Sequence, residues 1–263
     1  MSDKTLEQEQ LEKLIYRSDD NINDLIYAES YVKIKNRMSE KLEVKYFCPQ
    51  KFYPIKYIIL SATLNKNIYE KYFQSLINVY LYPEKKAAYQ GKLIQYTYHS
   101  LGRRDLAEKM EVFSYVSKIA KNEELEIITF KLVNGNENRD TTCMHFGNTT
   151  GINSLAGKDI GIIGTPYKVE ETYKLIACYL GASVNTKDDK APRIRRIDYK
   201  NYNFLMVTYK EPLLREVQLY SIESELEQCV GRARLLRKDC SVYLFSAFPC
   251  EQAELHTKNY LLT

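Results

Sequence analysis

The chain has 263 residues, enough for one large domain or two small ones, and its 44% hydrophobic and 27% charged residues are the balance of a soluble globular protein that can build a core. Its net charge of +4 permits a nucleic-acid partner without demanding one, so charge alone selects no function. The charged start lacks an apolar signal segment and no run approaches the roughly 18 apolar residues of a membrane span, which argues against secretion and predicts a cytoplasmic, intracellular protein.

The first third of the chain predicts a helical segment followed by a short β-rich unit. Residues 1–50 are polar and helical in pattern, and the turn-rich stretch "CPQKFYP" marks a boundary after them. The run "YIIL" at 57–60 is continuous, apolar and β-branched, which is the pattern of a strand buried on both faces of a parallel sheet. Further strands are predicted from "NVYLY" at 78–82 and "KLIQYTYHS" at 92–100.

Strands and helices alternate regularly in the rest of the chain. Strands are predicted at 125–130, 159–165, 204–209 and 241–249. The helix after the second of these is predicted to be capped by Thr165, to start at Pro166 and to end at Gly181, and a later helix spans 221–237. This alternation predicts an α/β fold whose parallel sheet is covered by helices on both faces, with ligands at the carboxyl ends of its strands.

Metal-binding arrangements of cysteine and histidine are not found in the sequence. The six cysteines form no C-x-x-C pair and accompany no signal peptide, so reduced thiols are expected instead of a disulfide framework. Cys143 and His145 lie close together, but a chain with only 3 histidines offers little for a zinc site. We therefore expect no metal bound by the side chains of this chain.

Three loops carry polar groups suited to a phosphate-bearing ligand. The tripeptide "SAT" follows the 57–60 run directly. The loop "HFGNTTGINSLAGKDIGIIGTP" at 145–166 combines glycines, which let a backbone approach a ligand closely, with hydroxyl and amide donors, although its composition equally allows a long flexible loop. The third is "EQCVGRARLLR" at 227–237, whose arginines could bind phosphate bidentately or simply form a solvated basic helix face.

Taken in order, these loops and the strands beside them resemble the motifs of superfamily 2 helicases over residues 55–250. "YIILSAT" is similar to motif III at the end of the first RecA-like domain, and "LEIITFK" to the motif IV strand that opens the second. "TGINSLAGKDIGIIGTP" resembles motif V of the DinG-type helicases. "QCVGRAR" resembles motif VI, with the shorter arginine spacing of Dicer-like enzymes and innate immune RNA sensors, and is the most specific of the four.

The resemblance implies a domain organisation and a set of site residues. After the helical N-terminal segment predicted at 1–50, it implies a remnant or the end of a first RecA-like domain at 51–105 and a second RecA-like domain at 106–263. It further implies ATP binding by Gln228 and Gly231, arginine fingers at Arg232 and Arg234, and coupling through Ser61 and Thr63. It also implies contacts to single-stranded nucleic acid, DNA in preference to RNA, from Thr129, Lys131, Thr149, Thr150 and Gly151.

Two of these assignments have alternatives in the sequence itself. The commoner family pattern places its second arginine where this chain has Leu235, so the second finger is either Arg234 or Arg237. Lys131 fits an ordinary surface lysine as well as a phosphate contact.

The sequence lacks the parts of a helicase that hold nucleotide phosphates and Mg²⁺. No G-x-x-x-x-G-K-[ST] is found, and no convincing D-E-x-H or D-E-x-D precedes Ser61. We therefore interpret the chain as the C-terminal half of an ATP-dependent nucleic-acid helicase, which would use ATP and Mg²⁺ only when a Walker-bearing domain is joined to it in cis or in trans. The alternative is a non-enzymatic nucleic-acid-binding or regulatory module that kept a RecA-like fold.

Overall fold

The computed structural model of the chain describes residues 28–35, 42–50, 52–53, 55–74, 77–80, 87–108, 110–122, 125–131, 144–149, 151–184 and 191–258. Its strands are β1 Ser30–Lys35, β2 Leu42–Phe47, β3 Lys92–Tyr96, β4 Glu126–Ile128, β5 Ile160–Ile163, β6 Arg193–Tyr199, β7 Tyr202–Thr208, β8 Ser241–Phe245 and β9 Glu254–His256. Its helices are α1 Lys66–Phe73, α2 Arg103–Glu108, α3 Met110–Asn122, α4 Glu170–Tyr179 and α5 Pro212–Val230, and none of these described helices is long and apolar enough to cross a membrane.

Five parallel strands in the order β4-β5-β8-β3-β9 form the central sheet. Its interior strands come from short apolar runs, and all four residues of β5 are buried. The edge strand β9 is exposed and polar, so it carries no apolar pattern that the sequence could have shown. Because β3 lies between β8 and β9, the sheet draws on residues from both sides of the predicted domain boundary at residue 105.

Helices cover both faces of this sheet, as the alternation of buried side chains shows. Ile162 and Leu244 pack in one apolar cluster with α5 residues such as Leu226. The neighbouring residues Ile163 and Phe245 point to the opposite face and share a second cluster with side chains of α2 and α3. The predicted α/β class with a doubly covered parallel sheet is therefore confirmed.

A third apolar cluster ties the N-terminal elements to the rest of the molecule. Ile68 of α1 packs with Tyr173 of α4 and with Leu214 and Val217 of α5. The helix α1 begins at the capping residue Asn65, whose side chain accepts a hydrogen bond from the Ile68 amide. The chain that follows the "SAT" loop is therefore fixed to the same helices that border the sheet.

The helix predicted over residues 1–50 is wrong for the described part of that segment. Strands β1 and β2 pair antiparallel there and pack beside α4, where the Ser30 hydroxyl donates to the Leu175 carbonyl at 2.9 Å. "SYVKIK" and "LEVKYF" both place β-branched or aromatic residues at alternate positions, a period of two that favours strands over helix. Residues 1–27 lie outside the described residues.

Three other predicted strands do not appear in the described sheet as predicted. Residues 57–60 form no strand, and Ile58 and Leu60 are 86% and 91% exposed, so the expectation of a strand buried on both faces is wrong. Residues 204–208 do belong to a strand, but this strand, β7, pairs antiparallel with β6 in a separate hairpin. Residues 78–80 have no regular structure, and 81–82 lie outside the described residues.

The helix α4 starts four residues later than its sequence signals predict. Thr165 does not cap it, because its buried hydroxyl bonds to the Ser246 hydroxyl at 2.8 Å and to the Ser100 carbonyl. The helix begins instead at Glu170, with Val169 as its N-terminal cap. Its predicted end is confirmed, since Gly181 adopts a φ of +97° directly after the last turn.

The amino end of β3 permits no side chain at residue 91. A Cβ added to Gly91 would lie 2.3 Å from the Cys240 carbonyl oxygen and 2.8 Å from that of Lys238, both on the backbone. We expect Gly91→Ala to lower the free energy of unfolding by about 1–3 kcal/mol, measured by urea denaturation. Gly102→Ala is the matched control, because its nearest contacts would be 3.5 Å away. Equal stability of the two variants would contradict this account of the packing.

Candidate functional site

The arginine-rich segment (residues 227–237) and the glycine-rich loop (residues 145–166) meet at the amino ends of the strands of the sheet. The amides of Gln90 and Gly91, just before β3, donate to the Leu235 carbonyl at 2.8 and 3.1 Å. The Gly157 amide, just before β5, donates to the Ala233 carbonyl at 3.0 Å. The sequence predicted ligand loops at the carboxyl ends of the strands, and this expectation is wrong for the arginines, which lie in the segment that precedes β8.

The arginines project from a turn that follows α5, and not from the helix face that the sequence predicted. The helix ends at Val230, and Gly231–Ala233 form a single 3-10 turn. Arg234 then adopts the left-handed conformation, with φ 62° and ψ 41°, which costs a non-glycine residue on the order of 1 kcal/mol. Amides of Arg237 and Lys238 donate to the Arg234 carbonyl and hold this conformation.

The glycine-rich loop is held along α5 by one carboxylate and one buried hydroxyl. The Gly147 amide, at a φ of +82° that favours glycine, donates to Glu225 Oε1 at 2.7 Å. Thr149 is buried and hydrogen-bonds with the Cys229 thiol. Burial, and then the negative charge of Glu225, raise the pKa of Cys229 to about 12, so the thiol stays protonated at neutral pH.

Further along the same loop, both candidate finger residues contact its backbone or side chains. Arg232 Nη1 donates to the Ile152 carbonyl at 3.3 Å, and Arg234 Nη2 donates to Asn153 Oδ1 at 2.9 Å. The structure therefore brings together two segments that lie 80 and 81 residues apart in the chain. Motif V and motif VI, as the resemblance names them, form one surface.

One hydrogen-bond donor of this surface is unused among the described residues. Among the described residues, Arg232 Nε is buried and has no hydrogen-bond partner. Gly231 is exposed, and a Cβ added there would meet nothing within 4 Å. Leu235 is only 2% exposed and packs in the core, so the position of the family's second arginine is here an apolar core position. Arg234 and Arg237 are both exposed, and the Arg234 guanidinium bonds to Asn153 of the glycine-rich loop.

The "SAT" loop reaches the same helix from the other side. Thr63 Oγ1 lies 3.0 Å from the Ser224 hydroxyl, and Gln228 Nε2 donates to that hydroxyl at 3.4 Å. Ser61 is exposed and its hydroxyl accepts from the Thr63 amide at 3.3 Å. Glu216 accepts from the side-chain amides of Asn65 and Asn67, at 3.1 and 2.6 Å.

The residues predicted to contact nucleic acid divide into an exposed and a buried group. Lys131 and Gly151 are exposed. Thr129 is fully buried and its hydroxyl donates to the Ile163 carbonyl at 2.8 Å, so that hydroxyl serves the sheet, and Thr149 is committed to Cys229 as described above. Thr150 lies outside the described residues.

Sequence reasoning missed the α5 residues that hold these loops. Glu216, Ser224 and Glu225 belong to no motif, yet each bonds to a loop 78 or more residues distant in the chain. The available signal was spacing, since 216, 224 and 228 are multiples of four apart and share one helix face.

A search for metal-binding groups and comparison with known proteins each gave a negative result. No group of three or more His, Cys, Asp or Glu side chains that could bind a metal is present among the described residues. Comparison with protein families, with curated proteins and with solved structures finds no match to this chain.

The carboxylate of Glu225 generates a prediction about the glycine-rich loop. A hydrogen bond to a charged acceptor contributes about 1.5–3 kcal/mol. We expect Glu225→Ala to speed hydrogen exchange of the Gly147 amide by about 10-fold or more, measured by NMR. Glu216→Ala is the control on the same helix, and should loosen residues 65–67 while leaving Gly147 unchanged. Unchanged exchange at Gly147 in Glu225→Ala would contradict the assigned contact.

Proposed function

We propose that this chain is the RecA-like C-terminal half of a superfamily 2 nucleic-acid helicase or translocase. It would supply arginine fingers and strand-binding loops to an ATPase whose phosphate-binding loop comes from another domain. The observation that carries the proposal is the convergence on α5 of the three loops that resemble motifs III, V and VI, through Thr63, Gly147 and Arg232. Such an enzyme would draw on the intracellular nucleotide pool, in keeping with the cytoplasmic location expected from the sequence.

The chemistry of the surface fits the phosphate end of a nucleotide. Arg232 keeps a buried Nε without a partner among the described residues, and Arg234 presents its guanidinium at the surface from a strained turn. Guanidinium groups bind phosphate oxygens in a bidentate fork and stabilise charge that develops during phosphoryl transfer. Gln228 lies one turn before them, held by a hydrogen bond of 3.4 Å that a stronger acceptor could replace.

Bound ATP would supply the transferring phosphoryl group and the free energy of its hydrolysis. Arg232 and Arg234 would orient and stabilise the charged oxygens, and the open space at Gly231 would let the backbone approach them. The described residues offer no carboxylate cluster for Mg²⁺ here. The magnesium ligands, like the phosphate loop, would have to come from the other domain.

The exposed run at 57–60 supports the presence of such a domain. Its sequence has the pattern of a strand buried on both faces, yet Ile58 and Leu60 are almost fully exposed in this chain. Contiguous exposed apolar surface of this kind marks an interaction site. In the proposal this run pairs with the sheet of the first RecA-like domain, which would bring Ser61 and Thr63 to the junction of the two domains.

Nucleic acid would lie against the exposed part of the glycine-rich loop and Lys131. Contacts of this kind go to phosphates and position a strand without reading its sequence. Because the hydroxyls of Thr129 and Thr149 are buried, their share in the proposal is to hold the loop. Single-stranded DNA is preferred over RNA only by the likeness of motif V.

A non-enzymatic nucleic-acid-binding or regulatory module is the alternative. The observation that favours it is that the sequence has no G-x-x-x-x-G-K-[ST] phosphate loop and that the described residues include no group of three or more His, Cys, Asp or Glu side chains that could hold a metal ion. Such a module has no chemical use for Arg232 and Arg234, so a requirement for these arginines in ATP turnover separates the two functions.

Turnover by the reconstituted two-domain enzyme tests the arginines directly. We expect Arg232→Ala to lower kcat by about 10³-fold or more, because a finger acts on the charge of the transition state. Arg232→Lys should rescue little, since an ammonium group cannot reproduce the bidentate fork. KM should change less than kcat in both variants.

The control for this experiment is Arg237→Ala, which removes a neighbouring exposed arginine and should cost little. Arg234→Ala tests the second finger and should reduce kcat far more than Arg237→Ala. Near-normal rates after replacing both Arg232 and Arg234 would refute the enzymatic proposal.

Binding of single-stranded DNA should depend strongly on salt. Each phosphate contact that releases counterions contributes about −0.7 to the slope of log K against log[salt]. We expect Lys131→Ala to weaken binding at low salt and to make this slope shallower by about that amount, measured by fluorescence anisotropy. Lys66→Ala is the control, because Lys66 is an exposed lysine paired with Glu70 on α1. Strong binding that is indifferent to salt would contradict a phosphate-tracking mode.

A further inference from the structure

One hydroxyl group touches both the "SAT" loop and the glutamine at the end of α5. The Ser224 hydroxyl lies 3.0 Å from Thr63 Oγ1 and accepts a hydrogen bond from Gln228 Nε2 at 3.4 Å. Thr63 and Gln228 are 165 residues apart in the chain, counted from their numbers. Their side chains are nevertheless separated by a single intervening oxygen atom.

The surroundings of Ser224 restrict how this arrangement can relax. The side chain of Tyr220, one turn earlier on α5, lies beside Tyr69, with their ring centroids 6.4 Å apart, and near Thr63 and Ser224. Burial, and then the neighbouring Tyr69, raise the pKa of Tyr220, so its hydroxyl stays protonated and keeps its donor. Polar side chains at 220, 224 and 228 thus form one row along the helix, at the spacing that places them on the same face.

The chain on the far side of Thr63 is anchored. Glu216 holds both Asn65 and Asn67, and Ile68 is buried in the third apolar cluster. On the near side, Ser61 and the run at 57–60 are exposed. If Thr63 moves, the exposed residues 57–61 would therefore move with it, because the residues that follow Thr63 are held in place.

We propose that Ser224 is a positioning residue that couples Gln228 to Thr63. The hydroxyl has one proton and two lone pairs, so the direction in which it bonds to one partner restricts its bond to the other. A ligand that draws the Gln228 amide away removes a donor from Ser224 and changes the bond that holds Thr63. This inference rests on the proposed function for the identity of that ligand, a nucleotide phosphate, but the coupling itself is a property of the chain alone.

The coupling can be measured in the full chain without ligand by a double-mutant design. Methyl-labelled threonine NMR reports the position of the Thr63 methyl group, and Thr63→Val identifies its signal. We expect Gln228→Ala to shift this signal in the wild-type background. In a Ser224→Ala background the same replacement should shift it at least about threefold less, because the connecting oxygen is gone.

Two variants guard against a merely structural explanation. Ser224→Thr retains the hydroxyl and should restore the effect of Gln228→Ala on Thr63. Arg237→Ala changes a nearby exposed residue and should leave the Thr63 signal in place. Undisturbed threonine methyl signals at the buried Thr165 and Thr208 show that each variant is folded.

The possible outcomes separate this inference from the proposed function. A Thr63 signal that ignores Gln228→Ala, or that responds equally with and without Ser224, overturns the coupling whatever the ATPase assay shows. A Ser224-dependent response supports it. If the response is present but Arg232 and Arg234 prove dispensable for turnover, the helicase proposal fails while the coupling stands.

Discussion

The position of α5 is the constraint on which the candidate site depends. Leu219, Ile222 and Leu226 bury one side of this helix in the core beside the sheet. Its remaining sides carry the groups that hold the other elements: Glu223 bonds to Tyr199 of the β6–β7 hairpin, Ser224 to the "SAT" loop, and Glu225 to the glycine-rich loop. Three consecutive residues of a helix point in directions about 100° apart, so one rigid element fixes three loops relative to each other. The geometry of the site therefore follows from the packing of this helix, together with the direct contacts of Arg232 and Arg234 with the glycine-rich loop.

The turn at the end of α5 places a set of arginines at the surface. A helix continued through residue 237, as the sequence predicted, would distribute the arginines around its circumference. The turn at Gly231–Ala233 and the left-handed Arg234 end the helix. The next residue, Leu235, packs into the core. Arg232 and Arg234 are left against the loop at 152–153. The cost of the left-handed residue is offset by the burial of Leu235 and by the backbone bonds around it, which is how strained residues persist at functional sites.

The sequence predicted correctly those strands that are covered by other segments of this chain. Ile160–Ile163 and Ser241–Phe245 are short apolar strands in the middle of the sheet, and their partners are other strands of the same chain. The run at 57–60 has the same pattern but pairs with no strand among the described residues. An apolar run indicates that a segment is covered, but it does not indicate which segment covers it. Thr165 had the residue type of a helix cap, but a tertiary hydrogen bond to Ser246 used its hydroxyl. The motif residues Gln228 and Arg232 could be found by their pattern. Spacing also places Ser224 on the helix face of Gln228, but it could not show the contacts of Ser224 or Glu225, which exist only once distant loops have folded onto α5.

Gly231 is a glycine that the fold of the described residues does not require. Its backbone, at φ −60° and ψ −16°, is open to any amino acid, and a side chain there would meet nothing within 4 Å. Glycine at such a position loses more conformational entropy on folding than alanine would, so the fold of this chain gives no reason for it. Gly91 is the contrast, because there the neighbouring backbone leaves no room for a Cβ. In the proposed function, this glycine, placed one residue before an arginine with an unpartnered buried nitrogen in the described part of the chain, would let a ligand approach the backbone from outside. The phosphate end of a nucleotide, carried on a second domain, has the size and the charge to do so.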